Sequence, residues 1–387
     1  MKYKRIFLLV LDSIGVGEAE DAKEYNDVGA NTLGHIKEKY DLFIPNLKKL
    51  GFLDTINMSE NNEVEAYYTI AKPNNRGKDT LNGHYELVGI KNNTEFNTFY
   101  ENGFPMDLIK VIENGTKMKV IGNRAVNSDQ IINELGDEQL RERALIIYTS
   151  FDSTLQVAVN EKVLPVNTLY KVCEAIQKVC AAKKEWNVAR VIARPFTGNN
   201  GKYKKTVDRR DFCIDPPKES ILDKLKEKDI DVIAIGKIND IFNGKGITKS
   251  IKSTSNSVTI NKLTDIMDKN FTGLCFANLA DFDYQGHTRN VDEYAKMIEA
   301  VDVEIPMILN KLNTDDLLII TADHGNDPTF TGFNHTRENV PVIIFSRNFK
   351  EPKRLDELST LSDIGATIAE NFEIECPEGT SILDKLI

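Results

Sequence analysis

The chain has 387 residues, 41% hydrophobic and 28% charged, an ordinary globular composition long enough for two domains, each with its own core. It excludes a disordered, collagen-like or coiled-coil protein. Lys and Arg total 49 against 59 Asp and Glu, a formal charge of −10, which argues against nonspecific attraction to nucleic acid or an anionic membrane. An anionic substrate therefore needs a local positive centre.

The first element expected is a buried strand at 6–11, an apolar run that follows Lys2, Lys4 and Arg5 and stops at Asp12. The run is too short for a signal peptide and has no small-residue cleavage site behind it. Nothing later approaches the ~18 apolar residues of a membrane span, so a cytoplasmic protein is expected. Further short apolar runs at 145–148, 232–235, 274–279, 317–320 and 340–345 read as buried strands. Between them lie helical patterns, first Tyr294, Met297, Ile298 and Val301, then Ile364 and Ile368. This alternation predicts an α/β fold around a largely parallel sheet. Such sheets carry reactive groups at the carboxyl ends of their strands, where Asp12, Asp281, Asp283 and Asp323 fall.

The stretch from 96 to 216 has a helix of its own at 166–182 and strands of its own at 145–148 and 188–193. It reads as a smaller inserted α/β domain within a discontinuous core of 1–95 and 217–387. Asn199-Asn200-Gly201-Lys202 is its clearest turn. The five cysteines, Cys173, Cys180, Cys213, Cys275 and Cys376, form no C-x-x-C pair and are expected to be reduced. Cys173 and Cys180 share a helical stripe with Leu169, Ile176 and Val179, which predicts core packing.

Chemistry concentrates in two strand-end segments. Thr321-Ala322-Asp323-His324-Gly325-Asn326-Asp327 is followed by His335, and Asp281-Phe282-Asp283-Tyr284-Gln285-Gly286-His287 again joins carboxylates to an imidazole beside a glycine. A turn eased by Gly325 is expected to aim Asp323 and His324 at one point. Of five histidines, His287, His324 and His335 lie in or just after these segments. Oxygen and imidazole donors without thiolate suit Mn²⁺, Zn²⁺ or Mg²⁺. With Asp12 added, the set suits two divalent ions gripping one phosphoryl group, and their charge outweighs three carboxylates by one unit. In the segment Gly77-Lys78-Asp79-Thr80, before a predicted helix, Thr80 offers a nucleophilic hydroxyl, while capping of that helix is the simpler role for Asp79 or Thr80. His35 and His84 are read as packing or hydrogen-bonding residues.

These segments, with Leu11-Asp12-Ser13-Ile14-Gly15-Val16-Gly17 and His335-Thr336-Arg337, resemble the alkaline phosphatase superfamily, and within it the bacterial phosphopentomutase family. Residues 27–35, 148–153, 190–196 and 236–238 carry further signatures, so the resemblance spans essentially the whole chain. It implies a core with a mainly parallel sheet between helices, two Mn²⁺ ions and an inserted cap domain. Asp12, Asp323, His324 and phosphorylated Thr80 would hold one ion, and Asp283, His287 and His335 the other. In the cap, Ser150, Asp152 and Arg190 would bind the sugar. The implied reaction interconverts ribose 1-phosphate and ribose 5-phosphate, and the 2-deoxyribose pair, through a phosphothreonine and a bisphosphate. A sugar bisphosphate, of the glucose 1,6-bisphosphate or ribose 1,5-bisphosphate type, would prime Thr80. Pentose phosphates are the expected partners of a monomer, with neither nucleic acid nor membrane involved.

Two departures from the family pattern stand out. The spacing from Asp283 to His287 is one residue shorter, which leaves Asp281 as the alternative ligand. Lys204-Lys205-Thr206 replaces an arginine before a threonine, so Lys205 would meet phosphate as a point charge. Rival readings are a phosphatase, a cofactor-independent phosphoglycerate mutase, and a noncatalytic phosphosugar sensor.

Overall fold

The computed structural model describes residues 1–58, 63–150 and 152–386. The chain forms two compact units, Met1–Thr94 with Pro216–Ile387, and Glu95–Asp215. The first contains a seven-stranded sheet whose spatial order is Lys249–Ile251, Asp231–Ile235, Gly273–Leu279, Arg5–Leu11, Asp316–Thr321, Val340–Phe345 and Tyr67–Ala71. The first five strands pair in parallel, and Val340–Phe345 runs antiparallel to both of its neighbours. The fold is α/β, as the alternation of apolar runs and helical periods predicts; every run expected as a strand in this unit is one. The antiparallel edge was not expected, because strand direction is set by the length of the connection and not by the strand's own residues.

Central position explains the apolar run in Arg5–Leu11: it is flanked by strands on both sides and buried along its whole length. Arg5 enters this interior only because its guanidinium is saturated. Nε and Nη2 donate to the two oxygens of Asp316 at 2.8 and 2.6 Å, and Nη1 to the carbonyls of Met267 and Lys269 at 2.7 and 2.8 Å. The helix Val291–Lys311 covers one part of the sheet with Tyr294, Ile298, Val301 and Ile305, the period of its apolar residues. Helix Ser362–Asn371 packs closely on the end of helix Thr80–Leu87, where a Cβ on Gly365 would lie 2.8 Å from Leu87 O.

The second unit has a mixed sheet in the order Val120–Ala125, Leu145–Thr149, Thr154–Asn160, Arg190–Asn199 and Lys202–Lys205, with Arg210–Cys213 also pairing Arg190–Asn199. Side chains alternate across it. Leu145 and Ile147 join Leu108, Ile112, Leu169, Cys173, Ile176 and Cys180 on one face, and Ile146 and Tyr148 join Ile131 and Ile132 on the other. The strand expected at 188–193 begins instead at Arg190 and continues to Asn199, and Thr154–Asn160 escaped the sequence reading because Gln156 interrupts its apolar run. Asn200 and Gly201 turn the hairpin with φ of 50° and 72°, the left-handed pair that a two-residue loop requires. Among the described residues no helix is long and apolar enough to cross a membrane.

Replacing Arg5 with Met would leave the Asp316 carboxylate buried and short of its strongest partner. We expect Arg5→Met to lower the unfolding free energy by about 3–5 kcal/mol, read from denaturant midpoints at constant slope.

Candidate metal centre

Parallel pairing brings the carboxyl ends of three strands together. Val10 lies beside Asn278 on one side and Thr321 on the other, so Asp12 and Asp323, just beyond their strands, emerge at the same edge. Asp283 and His287 lie one helical turn apart on Asp281–Thr288 and share a face. A loop returns His335 to this edge, where its ring stacks on His324 with centroids 4.0 Å apart.

The donors fall into two groups, Asp283 with His287 and His335, and Asp12 with Asp323 and His324, each with ligand atoms within 4.8 Å of one another. In the first group, Nδ1 of His287 donates to Phe333 O at 2.6 Å and Nδ1 of His335 to Lys78 O at 2.7 Å. A carbonyl only accepts, so both Nδ1 atoms carry hydrogen and both neutral rings turn an Nε2 lone pair inward. Those Nε2 atoms are 3.1 Å apart and lie 3.3 and 3.1 Å from the Asp283 carboxylate. Such a cluster of inward lone pairs beside a carboxylate is the arrangement that suits a shared cation.

The second group shows the same shortage of positive charge. Asp12 Oδ1 is buried without a hydrogen-bond partner, and it and Asp323 Oδ2 lie 3.5 and 3.3 Å from His324 Nε2; Asp323 Oδ2 is also 3.1 Å from His84 Nδ1. Their other oxygens are occupied: Asn278 Nδ2 donates to Asp12 Oδ2 at 3.1 Å and the Ser13 N–H to Asp323 Oδ1 at 3.1 Å. Asp12 thus spends one oxygen on the protein and leaves Oδ1 for a ligand, while Asp323 turns Oδ2 toward the rings of His324 and His84. The residues fit two divalent cations, and an all-oxygen-and-nitrogen set with this carboxylate share suits hard or borderline ions.

Burial and the neighbouring Asp323 push the Asp12 carboxyl up. Burial also opposes ionisation of Asp283, but when His287 and His335 carry a proton their charge outweighs it and holds that carboxyl well below its usual range. His335 is driven down to about 4, by burial and then by His324, and so presents a neutral, coordinating ring at neutral pH.

Thr80 reaches this edge as the first residue of helix Thr80–Leu87, with Asp79 as its cap through a 3.0 Å bond from Asn82 N. Its Oγ1 lies 3.0 Å from His324 Nε2. The expected cap is therefore Asp79, and Thr80 faces the candidate ligands. The helix can come so near because residue 83 is glycine; a Cβ there would lie 2.1 Å from Asp323 O. The approach to Thr80 is braced by Arg337, which bonds Asp21 at 2.9 and 3.0 Å and Gly77 O at 2.5 Å, and by Lys78, 2.6 Å from Asp27.

Other sequence expectations are changed. Gly325 does not serve as a left-handed turn; it makes room, since a Cβ would lie 2.4 Å from Glu338 Oε1. Asp281 is drawn away from the cluster and accepts from Asn256 N at 2.7 Å. His84 and His35 do hydrogen-bond, His35 to Asp327 at 2.5 Å. Lys237, absent from the predicted ligand set, stands 3.6 Å from Asp12 Oδ2, and Asn326 donates to Asp283 Oδ1 at 3.0 Å. Asn278 was legible as one buried amide inside an otherwise apolar strand.

Within the second unit, Ser150 Oγ donates to Asp152 Oδ1 at 2.5 Å and Arg190 Nη2 to Asp152 Oδ2 at 2.7 Å. Lys205 is engaged elsewhere, by Asp129 at 2.8 Å. Phe151, inside the signature at 148–153, lies outside the described residues.

Glu338 ties the metal-bearing loops together, accepting from the Thr32 and Thr336 hydroxyls at 2.6 Å each. Burial raises its carboxyl from 4.5 to about 7. A raised carboxyl stabilises the fold fully below its unfolded value and loses that contribution as pH rises through the folded value. Stability should therefore decline by up to about 3 kcal/mol between pH 4.5 and 7; denaturant titrations of Glu338→Gln across this range should lack that component. Calorimetric titration with Mn²⁺ should give two equivalents, and Asp283→Asn should weaken one of them by about 10–100-fold.

A family model described as the metalloenzyme superfamily matches residues 4–376. The chain is similar in fold to the PH0037 protein from Pyrococcus horikoshii, with 13% identity and a TM-score of 0.50 over 96% of this chain and 98% of that one. It is also similar to phosphoglycerate mutase from Leishmania mexicana, at 12% identity and TM-score 0.49 over 98% and 97%. A Vibrio parahaemolyticus protein of the alkaline phosphatase superfamily matches at 12% identity and TM-score 0.46 over 100% and 71%. Since the family model takes in nearly the whole chain, including every residue of both ligand groups, this protein belongs to the metalloenzyme superfamily.

Proposed function

We propose that the protein is a phosphopentomutase that moves a phosphoryl group between the 1- and 5-positions of ribose, and of 2-deoxyribose, through Thr80. The observation that carries this reading is the Thr80 hydroxyl, 3.0 Å from His324 Nε2, an atom that also lies 3.5 and 3.3 Å from carboxylate oxygens of Asp12 and Asp323. A phosphosugar sensor has no use for a hydroxyl there.

Two Mn²⁺ ions, one held by Asp12, Asp323, His324 and phosphorylated Thr80 and the other by Asp283, His287 and His335, would neutralise phosphoryl oxygens and lower the pKa of the accepting hydroxyl. Thr80 Oγ1 bonds to phosphorus as the phosphorus–oxygen bond to the sugar breaks, and the released sugar oxygen takes a proton. In the other half-reaction a sugar hydroxyl gives up a proton and takes the phosphoryl group from Thr80. A bisphosphate lies between the two halves, so the net change is isomerisation with no water consumed. The N-terminus of helix Thr80–Leu87 favours negative charge at Thr80, and the Lys237 ammonium beside Asp12 adds a positive charge.

Sugar recognition falls to Ser150, Asp152 and Arg190, an array of hydroxyl, carboxylate and guanidinium suited to a hydroxylated anion. Lys205 is the fourth candidate, and a phosphate would have to compete there with Asp129. A sugar bisphosphate of the glucose 1,6-bisphosphate or ribose 1,5-bisphosphate type would prime Thr80.

A coupled assay with ribose 5-phosphate and Mn²⁺, with and without bisphosphate, tests this reading. Mutase turnover stimulated by bisphosphate is expected, and Thr80→Ala should reduce it by at least about 10⁴-fold while still binding Mn²⁺. Dominant hydrolysis, turnover of 3-phosphoglycerate instead, or binding without exchange would overturn it in favour of a phosphatase, a phosphoglycerate mutase or a sensor respectively.

A further inference from the structure

His84 follows Thr80 by one helical turn and is fully buried, its ring stacked on Phe276 with centroids 5.8 Å apart. Packing alone would place a phenylalanine here equally well. The ring instead makes directed polar contacts, one of them from Nδ1 to Asp323 Oδ2 at 3.1 Å. Its Nδ1 lies 2.9 Å from the Thr80 carbonyl oxygen, which can only accept, so Nδ1 carries the hydrogen and Nε2 the lone pair. That lone pair lies 3.2 Å from Asn278 Nδ2, whose other hydrogen points to Asp12 Oδ2 at 3.1 Å. A bonded chain thus runs from the Thr80 backbone through His84 and Asn278 to a carboxylate of the metal centre.

The orientation of the Asn278 amide is fixed by these partners. Flipped, its oxygen would face both a lone pair and a carboxylate. As it stands, Asn278 Oδ1 is buried with no partner, an omission that costs stability. The fold tolerates this orphan in order to present both amide hydrogens. The acceptor on Asp12 matters equally. With Oδ2 held by Asn278, Oδ1 is the oxygen turned toward His324 and left bare. The Lys237 ammonium, 3.6 Å from Oδ2, is the competing attraction that would swing the carboxylate once the amide bond is gone.

We propose that His84 and Asn278 are positioning residues that lock the Thr80 turn to Asp12, fixing which Asp12 oxygen faces the cation beside the nucleophile. Neither touches the ion or the substrate. Asn278 acts through Asp12, and His84 through Asn278 and through Asp323; both carboxylates belong to one ligand group, so the effect falls on that cation and spares the one held by Asp283, His287 and His335. This inference rests on the metal centre of the preceding section and is independent of which sugar is used.

Calorimetric titration of the full chain with Mn²⁺ tests it, with Asp283→Asn identifying the equivalent that belongs to the other group. His84→Phe keeps the stacked ring and removes its bonds to Thr80 and Asn278 together with its contact to Asp323; Asn278→Leu keeps the volume and removes the donor. Each should weaken the equivalent that Asp283→Asn leaves intact by about 10–100-fold and change the other by less than about twofold. The double variant should lose little more than the worse single one, because the residues form one chain, and His84→Gln, which retains a donor and an acceptor, should recover part of the loss. Unchanged affinities in both single variants would overturn the proposal, as would equal weakening of both equivalents alongside a lower thermal midpoint, the mark of a purely structural role. Failure of the parent protein to bind two equivalents would sink the metal centre itself, a different result from either.

Discussion

Three carboxylates are held at one edge of the main sheet with too little positive charge around them. Asp12 and Asp323 are buried, Asp12 with a bare oxygen, and Asp283 shares its pocket with two inward-facing imidazole lone pairs. Burial in low dielectric makes such a gathering unfavourable unless cations join it. Much of the surrounding architecture can be read as the means of assembling it: parallel strands that end together, a helix that delivers Thr80, and loops braced by charged side chains that never meet the ligands.

The bracing follows a consistent rule. Each ligand side chain has one donor or acceptor tied to the protein and one directed inward. His287 and His335 are fixed through Nδ1 to carbonyls, Asp323 by the Ser13 N–H, Asp12 by Asn278 and Asp283 by Asn326. Metal sites need such outer partners to hold ligand orientation before the ion arrives. Ser13 reaches its partner from a left-handed backbone, φ 73°, an uncommon conformation for a residue with a side chain and one found where neighbouring contacts enforce it. Its hydroxyl lies 2.8 Å from the Tyr294 hydroxyl, which supplies that enforcement.

Legibility in the sequence divided along physical lines. Central strands announced themselves because burial on both faces demands an unbroken apolar run, as in Leu274 to Leu279 apart from Asn278. The ligands were legible because Asp-His pairs after such runs have little other reason to cluster. Thr154–Asn160 was not, since one buried glutamine sufficed to disguise it. The role of Gly325 was misassigned because a missing Cβ has two uses, backbone freedom and clearance, and only the position of Glu338 distinguishes them. Asp281 against Asp283 was likewise decided by helix geometry: Asp283 and His287 are one turn apart on the same face, while Asp281 points back to Asn256.

From the chain alone came the α/β alternation, the placement of acidic residues at strand ends, the inserted segment and the ligand types, all of which are local properties of spacing and polarity. The partner of each ligand atom was settled only in three dimensions. Whether Asp12 meets Asn278, whether two histidines turn their lone pairs together, and whether Lys205 is already engaged by Asp129 depend on residues tens to hundreds of positions apart. Pattern along a chain records which surfaces must be buried; it holds no record of distance between surfaces until packing brings them together.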